Sequence, residues 1–125
     1  MLFTNENDYD AIINAAAASY GVDPSLIKAT IAQESSFKPD AYREEPTIGD
    51  ASTGLMQLLN RTAKALGYTG TPEGLKDPAT NIGLGVKLIS QNLKQAQGNV
   101  DIAISAYNAG FSAQRTNDAK RDKDG

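Results

Sequence analysis

A chain of 125 residues, 40% hydrophobic and 22% charged, has the size of one domain around one core. Its formal net charge is -3, and its one basic run, Lys120, Arg121 and Lys123, alternates with Asp118, Asp122 and Asp124, so it reads as a solvated end and not as a nucleic-acid face. With no cysteine and no histidine, a disulfide framework, thiol chemistry, Ser-His-Asp and Cys-His nucleophiles and the usual zinc ligands are all excluded.

The N-terminus, Met1-Leu2-Phe3-Thr4-Asn5-Glu6, has neither a basic n-region nor an apolar h-region, so no secretion signal is expected. Asp8 is placed to cap a first helix over Tyr9–Tyr20 that Gly21 stops. Its Ile12–Ala18 run is too short to span a membrane. Asp23-Pro24 starts a second helix with a capping side chain and a proline in the first turn. Ser35-Ser36 and Pro39 end it. Asp40–Thr53 reads as a polar loop, long enough at about fourteen residues to suggest a function. Gly54–Leu59 is a short apolar stretch, and one short hairpin is expected within Asp40–Leu59. Asn60 is placed to cap a helix through Leu66, and Thr69–Lys76 reads as a loop. Asp77-Pro78 repeats the cap-plus-proline start and opens the longest helix, to about Gln97, with Ile82, Val86, Ile89 and Leu93 on one stripe. Asn99 caps a last helix through Tyr107 that Gly110 ends. The expected fold is mostly α, a small helical domain over residues 1–115, with Thr116–Gly125 as a polar, disordered tail.

Three short segments carry the chemistry. Glu34 continues the stripe Ile27, Thr30, Ile31 at helical spacing and lies in the last turn of its helix. Partial burial and the negative end of the helix dipole would both favour its protonated form and move it toward a general acid's range. Taken alone, a boundary Glu turned to solvent is the commoner case. Gly54-Leu55-Met56-Gln57 offers close backbone approach and an amide suited to sugar hydroxyls, though Leu55 and Met56 alone read as core. Tyr107-Asn108-Ala109-Gly110 supplies a phenol and an amide near a helix end, a pattern a core Tyr before a glycine cap also gives.

Taken together, in this order and spacing, the segments are far more specific. From about Ile12 to Gly110 the chain resembles the catalytic domain of the soluble-type lytic transglycosylases, which are related in fold to goose-type lysozyme. The matching residues are Glu34-Ser35, Gly54-Leu55-Met56-Gln57, Thr62-Ala63, Leu66-Gly67, Asp77-Pro78 with Asn81-Ile82, and Tyr107-Asn108-Ala109-Gly110. The resemblance implies a lysozyme-like fold. It implies cleavage of the β-1,4 bond between N-acetylmuramic acid and N-acetylglucosamine in peptidoglycan. Glu34 would be the single acid/base, and the muramoyl C6 hydroxyl would attack C1 to leave a 1,6-anhydro end. No activated water is needed, which relieves the requirement for two flanking carboxylates. Tyr107 would be the second catalytic residue, with Ser35, Met56, Gln57, Asn108, Ser52 and Asp50 as candidate substrate contacts.

No metal or cofactor is implied, and the expected partner of a monomeric chain is the glycan strand of the cell wall, with no nucleic acid and no membrane insertion. Delivery by a phage, a place in a virion or membership of a larger protein would bring the chain to the wall. Two departures from the family pattern stand out. The segment between Glu34 and Gly54 is longer, and at the offset where shorter members carry a functional serine this chain has Arg43; Ser52 is the candidate substitute. That segment also brings Glu44, Glu45 and Asp50, and Asp50 is the best placed to activate water, which would make the enzyme a hydrolytic muramidase. The sequence after Gly110 is short and charged where the family continues in helix, which suits a catalytically weak wall-binding module.

Overall fold

The computed structural model describes residues 5–107. Asn108, the Gly110 helix end and the tail Thr116–Gly125 lie outside the described residues. Helix α1 (Asp10–Tyr20) begins after Tyr9 with no side-chain cap, so Asp8 does not take that role. It closes at Gly21, where φ is 65° and the N–H reaches the Ala17 carbonyl. Helix α2 (Pro24–Ser35) starts as the sequence predicts: the Asp23 carboxylate accepts from the Ser25 N–H at 2.8 Å.

α2 ends without a glycine. Ser36 and Phe37 both take positive φ, 54° and 62°. Each such residue costs on the order of 1–3 kcal/mol. The two together reverse the chain and put the Phe37 ring in the core, which offsets part of that strain. The reversal fixes the end of α2, and with it Glu34.

Residues 40–53 are not a loop. They build most of a three-stranded antiparallel sheet of order β1-β2-β3, with β1 (Tyr42–Glu45), β2 (Asp50–Thr53) and β3 (Leu58–Leu59). A 3-10 turn, Pro46–Ile48, joins the first two strands and closes at Gly49. Their register pairs Tyr42 with Thr53, Arg43 with Ser52, Glu44 with Ala51 and Glu45 with Asp50. The fold is mostly α as expected, with one strand more than a hairpin.

Helix α3 (Asn60–Ala65) corrects a second expectation. Asn60 is its first residue and not its cap. The cap comes from Asp50 on β2, whose carboxylate accepts from the backbone N–H of Asn60 at 3.2 Å and of Arg61 at 3.1 Å. Its second oxygen also pairs with the Arg61 guanidinium at 3.3 Å. A 3-10 turn, Pro72–Lys76, leads into α4 (Pro78–Gln95), capped by Asp77 on the Thr80 N–H at 3.0 Å. α4 stops two residues before the expected end, and Gln97 and Gly98 then turn the chain with positive φ. The Asn99 side chain accepts from the Ile102 N–H at 3.1 Å at the start of helix α5, residues 100–107.

The core gathers Ile13 and Ala17 of α1, Ile27 and Ile31 of α2, and Ile82, Val86 and Ile89 of α4 around Phe37, Leu55 and Met56. The glutamate end of α2 therefore faces the sheet and α3 across a depression.

Candidate active site

Asn81, fully buried on α4, positions the Gly54–Gln57 turn. Its Oδ1 accepts from the Met56 N–H at 2.7 Å, and its Nδ2 donates to the carbonyls of Thr53 at 2.8 Å and Leu75 at 2.9 Å. Three buried backbone groups are thus satisfied by one side chain. Gly54 has φ of 85°, and a Cβ there would collide with the Asn81 amide and the Leu75 carbonyl. Glycine is required for close approach as well as for dihedral. On the facing side, a Cβ at Gly85 would strike the Met56 sulfur. Met56 is 0% exposed, so it is a core residue and not a groove contact.

Gln57 completes the turn in the left-handed region, with φ of 50°. Its Nε2 donates to the carbonyls of Ala41 at 3.1 Å and Gly54 at 3.0 Å. Both amide hydrogens are engaged in holding the turn against the strand entry. The carbonyl oxygen of Gln57 is the end of the side chain left for a ligand.

A groove of about 710 Å³ opens above this turn. Gln33 and Glu34 come from α2, Arg43 and Glu45 from β1, and Ser52 from β2. Gln57 to Leu59, Arg61, Thr62 and Ala65 form the floor and far wall, closed by Leu88 and Asn92 of α4 and by Ala106 and Tyr107 of α5. Of the sequence-derived candidates, the groove brings together Glu34, Tyr107, Gln57 and Ser52. Ser35 is buried, and its hydroxyl donates to the Ile31 carbonyl one turn back, so it is not presented to a ligand. Asp50 does not line the groove, because its carboxylate holds the N-terminus of α3. Asn108 lies outside the described residues.

Glu34 is half-buried, and its pKa lies above the ordinary 4.5. Burial is the larger cause; the nearby Arg43 guanidinium opposes it. Tyr107 meets it across the groove. The phenol donates to the Met56 carbonyl at 2.6 Å. Its pKa is pushed far up, first by burial and then by the Glu34 charge, so it stays neutral. Its proton is committed to Met56, so toward the groove its oxygen acts as an acceptor. The arrangement can hold a protonated carboxyl beside a neutral acceptor, which suits proton delivery to a leaving oxygen.

Arg61, Leu88 and Asn92 are groove residues that the sequence reading did not name, while it named Glu45 only as one of three carboxylates that could activate water and Arg43 only at the offset of the family's serine. Arg43 and Glu45 share one face of β1, two residues apart. No alternation announces the strand: Tyr42, Arg43 and Glu44 are all exposed and only Glu45 is buried, so four polar residues in a row read as loop. No group of three His, Cys, Asp or Glu side chains fit to hold a metal occurs among the described residues.

The transglycosylase SLT domain family matches residues 11–125. The chain belongs to that family. The SLT domain is 40% identical over 98 residues to a protein of Enterobacteria phage PRD1 described as a transglycosylase, covering 78% of this chain and 33% of the phage protein. Among solved structures it is similar to the lytic transglycosylase Slt of Pseudomonas aeruginosa, determined as an inactive Glu-to-Gln mutant. The TM-score is 0.75 and the identity 34%, over 90% of this chain and 18% of that one. It is similar also to the 70 kDa soluble lytic transglycosylase of Escherichia coli, with a TM-score of 0.72 and 28% identity over 86% of this chain and 18% of that one. The SLT domain described here therefore spans about a third of the phage relative and under a fifth of the solved enzymes.

Proposed function

We propose that the chain is a peptidoglycan lytic transglycosylase in which Glu34 is the single acid/base. One observation carries this reading: the carboxyl in the groove whose pKa is raised lies beside a phenol kept neutral, in a domain of the SLT family. The phage and bacterial relatives described as transglycosylases support the substrate class.

In the proposed reaction, Glu34 gives its proton to the bridging oxygen as the C1–O bond of the muramoyl residue breaks. The resulting carboxylate then takes the proton from the C6 hydroxyl of the same sugar as O6 bonds to C1. Glu34 ends protonated, water is not consumed, and the product carries a 1,6-anhydro ring. Tyr107 supplies an acceptor beside the acid. Gln57 offers its carbonyl oxygen to sugar hydroxyls, and Ser52 its hydroxyl. Two structural engagements favour this route over a hydrolytic one: Asp50 caps α3 and does not line the groove, and Glu45, the other carboxylate that lines the groove with Glu34, is paired with Arg43. The chain would act where peptidoglycan is, and no described helix is long and apolar enough to cross a membrane.

Mass analysis of muropeptides released from purified peptidoglycan tests the reaction. Anhydro ends that vanish with Glu34→Gln are expected; reducing ends in their place would assign a muramidase. Tyr107→Phe is expected to reduce turnover by about tenfold and to lower stability by about 1 kcal/mol through the lost bond to Met56.

A further inference from the structure

Glu45 is 6% exposed, lines the groove and pairs through Oε1 with Nε of Arg43 at 3.3 Å. A carboxylate so buried is stable as an ion only with a cation beside it. Its partner is the opposite case, since the Arg43 side chain is 74% exposed. Among the described residues Glu45 is the ion-pair partner of the Arg43 guanidinium, while the Arg43 backbone is paired into the sheet opposite Ser52. One carboxylate edge occupies at most two of a guanidinium's five donors. Arg43 is thus aimed by a buried brace while most of its donors remain unmatched. It lies in the same groove as the acid, across the β1–β2 pairing from Ser52. Arg61 adds a second guanidinium to the lining, but Asp50 and the Ile48 carbonyl already bind it.

A part-satisfied guanidinium braced at one edge favours a planar anion over a neutral hydroxyl. Building on the transglycosylase reading, we propose that Arg43, aimed by Glu45, is a specificity contact for a carboxylate borne on the 3-O substituent of the muramoyl sugar at the cleaved bond. That carboxylate is the lactyl group itself on strands without peptide, or the first free carboxylate of the stem peptide on strands that carry it. Arg43 and Glu34 also sense one another, since the guanidinium draws the acid's pKa down against burial. A substrate carboxylate over Arg43 offsets that pull, so binding the right sugar returns Glu34 toward its protonated form.

The test compares the parent chain with Arg43→Ala, Arg43→Lys and Glu45→Gln on three glycan preparations: peptide-bearing strands, strands stripped of peptide, and stripped strands with the lactyl carboxyl reduced to an alcohol. Arg43→Ala is expected to raise KM about fivefold on acid-bearing strands and to leave KM on the reduced strands within about twofold. Arg43→Lys recovers part of the loss, and Glu45→Gln shows a smaller loss in the same direction. The preparation on which the parent chain's advantage is largest identifies the lactyl or the stem carboxylate. In Arg43→Ala the alkaline limb of kcat/KM moves to higher pH, because the acid must be protonated and its stabilising cation is gone. An equal loss on native and reduced strands, or none on either, overturns the proposal. Calorimetric binding of the same strands to Glu34→Gln, with and without Arg43→Ala, reads the contact without cleavage. Carboxylate-dependent binding by a chain whose parent cuts no strand would leave this contact standing and sink the transglycosylase reading.

Discussion

The helical half of the molecule and the sheet half bury different things. α1, α2 and α4 close over an apolar cluster of Ile, Val, Ala and Phe side chains. The segment from Ala41 to Arg61 contributes Leu55 and Met56 to that cluster but also buries Glu45, Ser52 and Thr53; Asp50 and Gln57 hold it together from within, and Asn81 ties it to α4. Apolar packing is non-directional and tolerates small shifts. Polar anchors hold only when donor and acceptor meet, so they fix geometry more sharply. The groove needs the second kind of wall opposite an acid mounted on the first.

The largest effect that would sharpen this contrast is expected from Glu34→Gln, which should lower kcat/KM on the order of 10³-fold, about 4 kcal/mol, in a wall-clearing assay. The same change should stabilise the fold at neutral pH. Burial raises Glu34 above its unfolded value, so the folded state favours the protonated form. Stability therefore falls as pH rises from the unfolded value through the raised folded one, and the penalty is complete above it. Thermal unfolding should show Glu34→Gln with the higher Tm at pH 7 and no advantage below about pH 4.

Gly54→Ala should come next, losing about 3 kcal/mol or more in urea unfolding, because the new Cβ meets the Asn81 amide and the Leu75 carbonyl at a left-handed φ. Asn81→Ala should cost about 3 kcal/mol by stranding three buried backbone groups, against about 1 kcal/mol for Ile89→Val in the apolar half. Equal losses at these two sites would break the comparison. Asp23→Ala should be the smallest, about 1 kcal/mol of stability with kcat/KM unchanged, since it removes a local cap far from the groove.

The two halves also differed in how far they could be read in advance. Asp23-Pro24, Gly21 and Asp77-Pro78 carry their instructions within a few residues, and the structure follows them. Tyr42-Arg43-Glu44-Glu45 has no apolar alternation, and its strand exists because Asp50–Thr53 lies alongside. Asn60 offered a plausible local cap, yet a carboxylate ten residues away took the position. Glu34 was legible because it continues an apolar stripe. Arg43 and Glu45 were legible only as charges, since their shared face depends on a strand that the pattern did not announce. Met56 and Ser35 belong to the shared motif but serve it from beneath the groove.

The bond from Asp50 to α3 also has a mechanical meaning. One carboxylate grips the leading amides of a helix while its own backbone is paired into the β-hairpin, so the hairpin and α3 behave as a single stiff panel. A glycan strand lying past Glu34 would meet Arg43, Ser52 and Arg61 on one braced surface, which Asn81 pins in turn to α4 through the Thr53 carbonyl and the Met56 N–H.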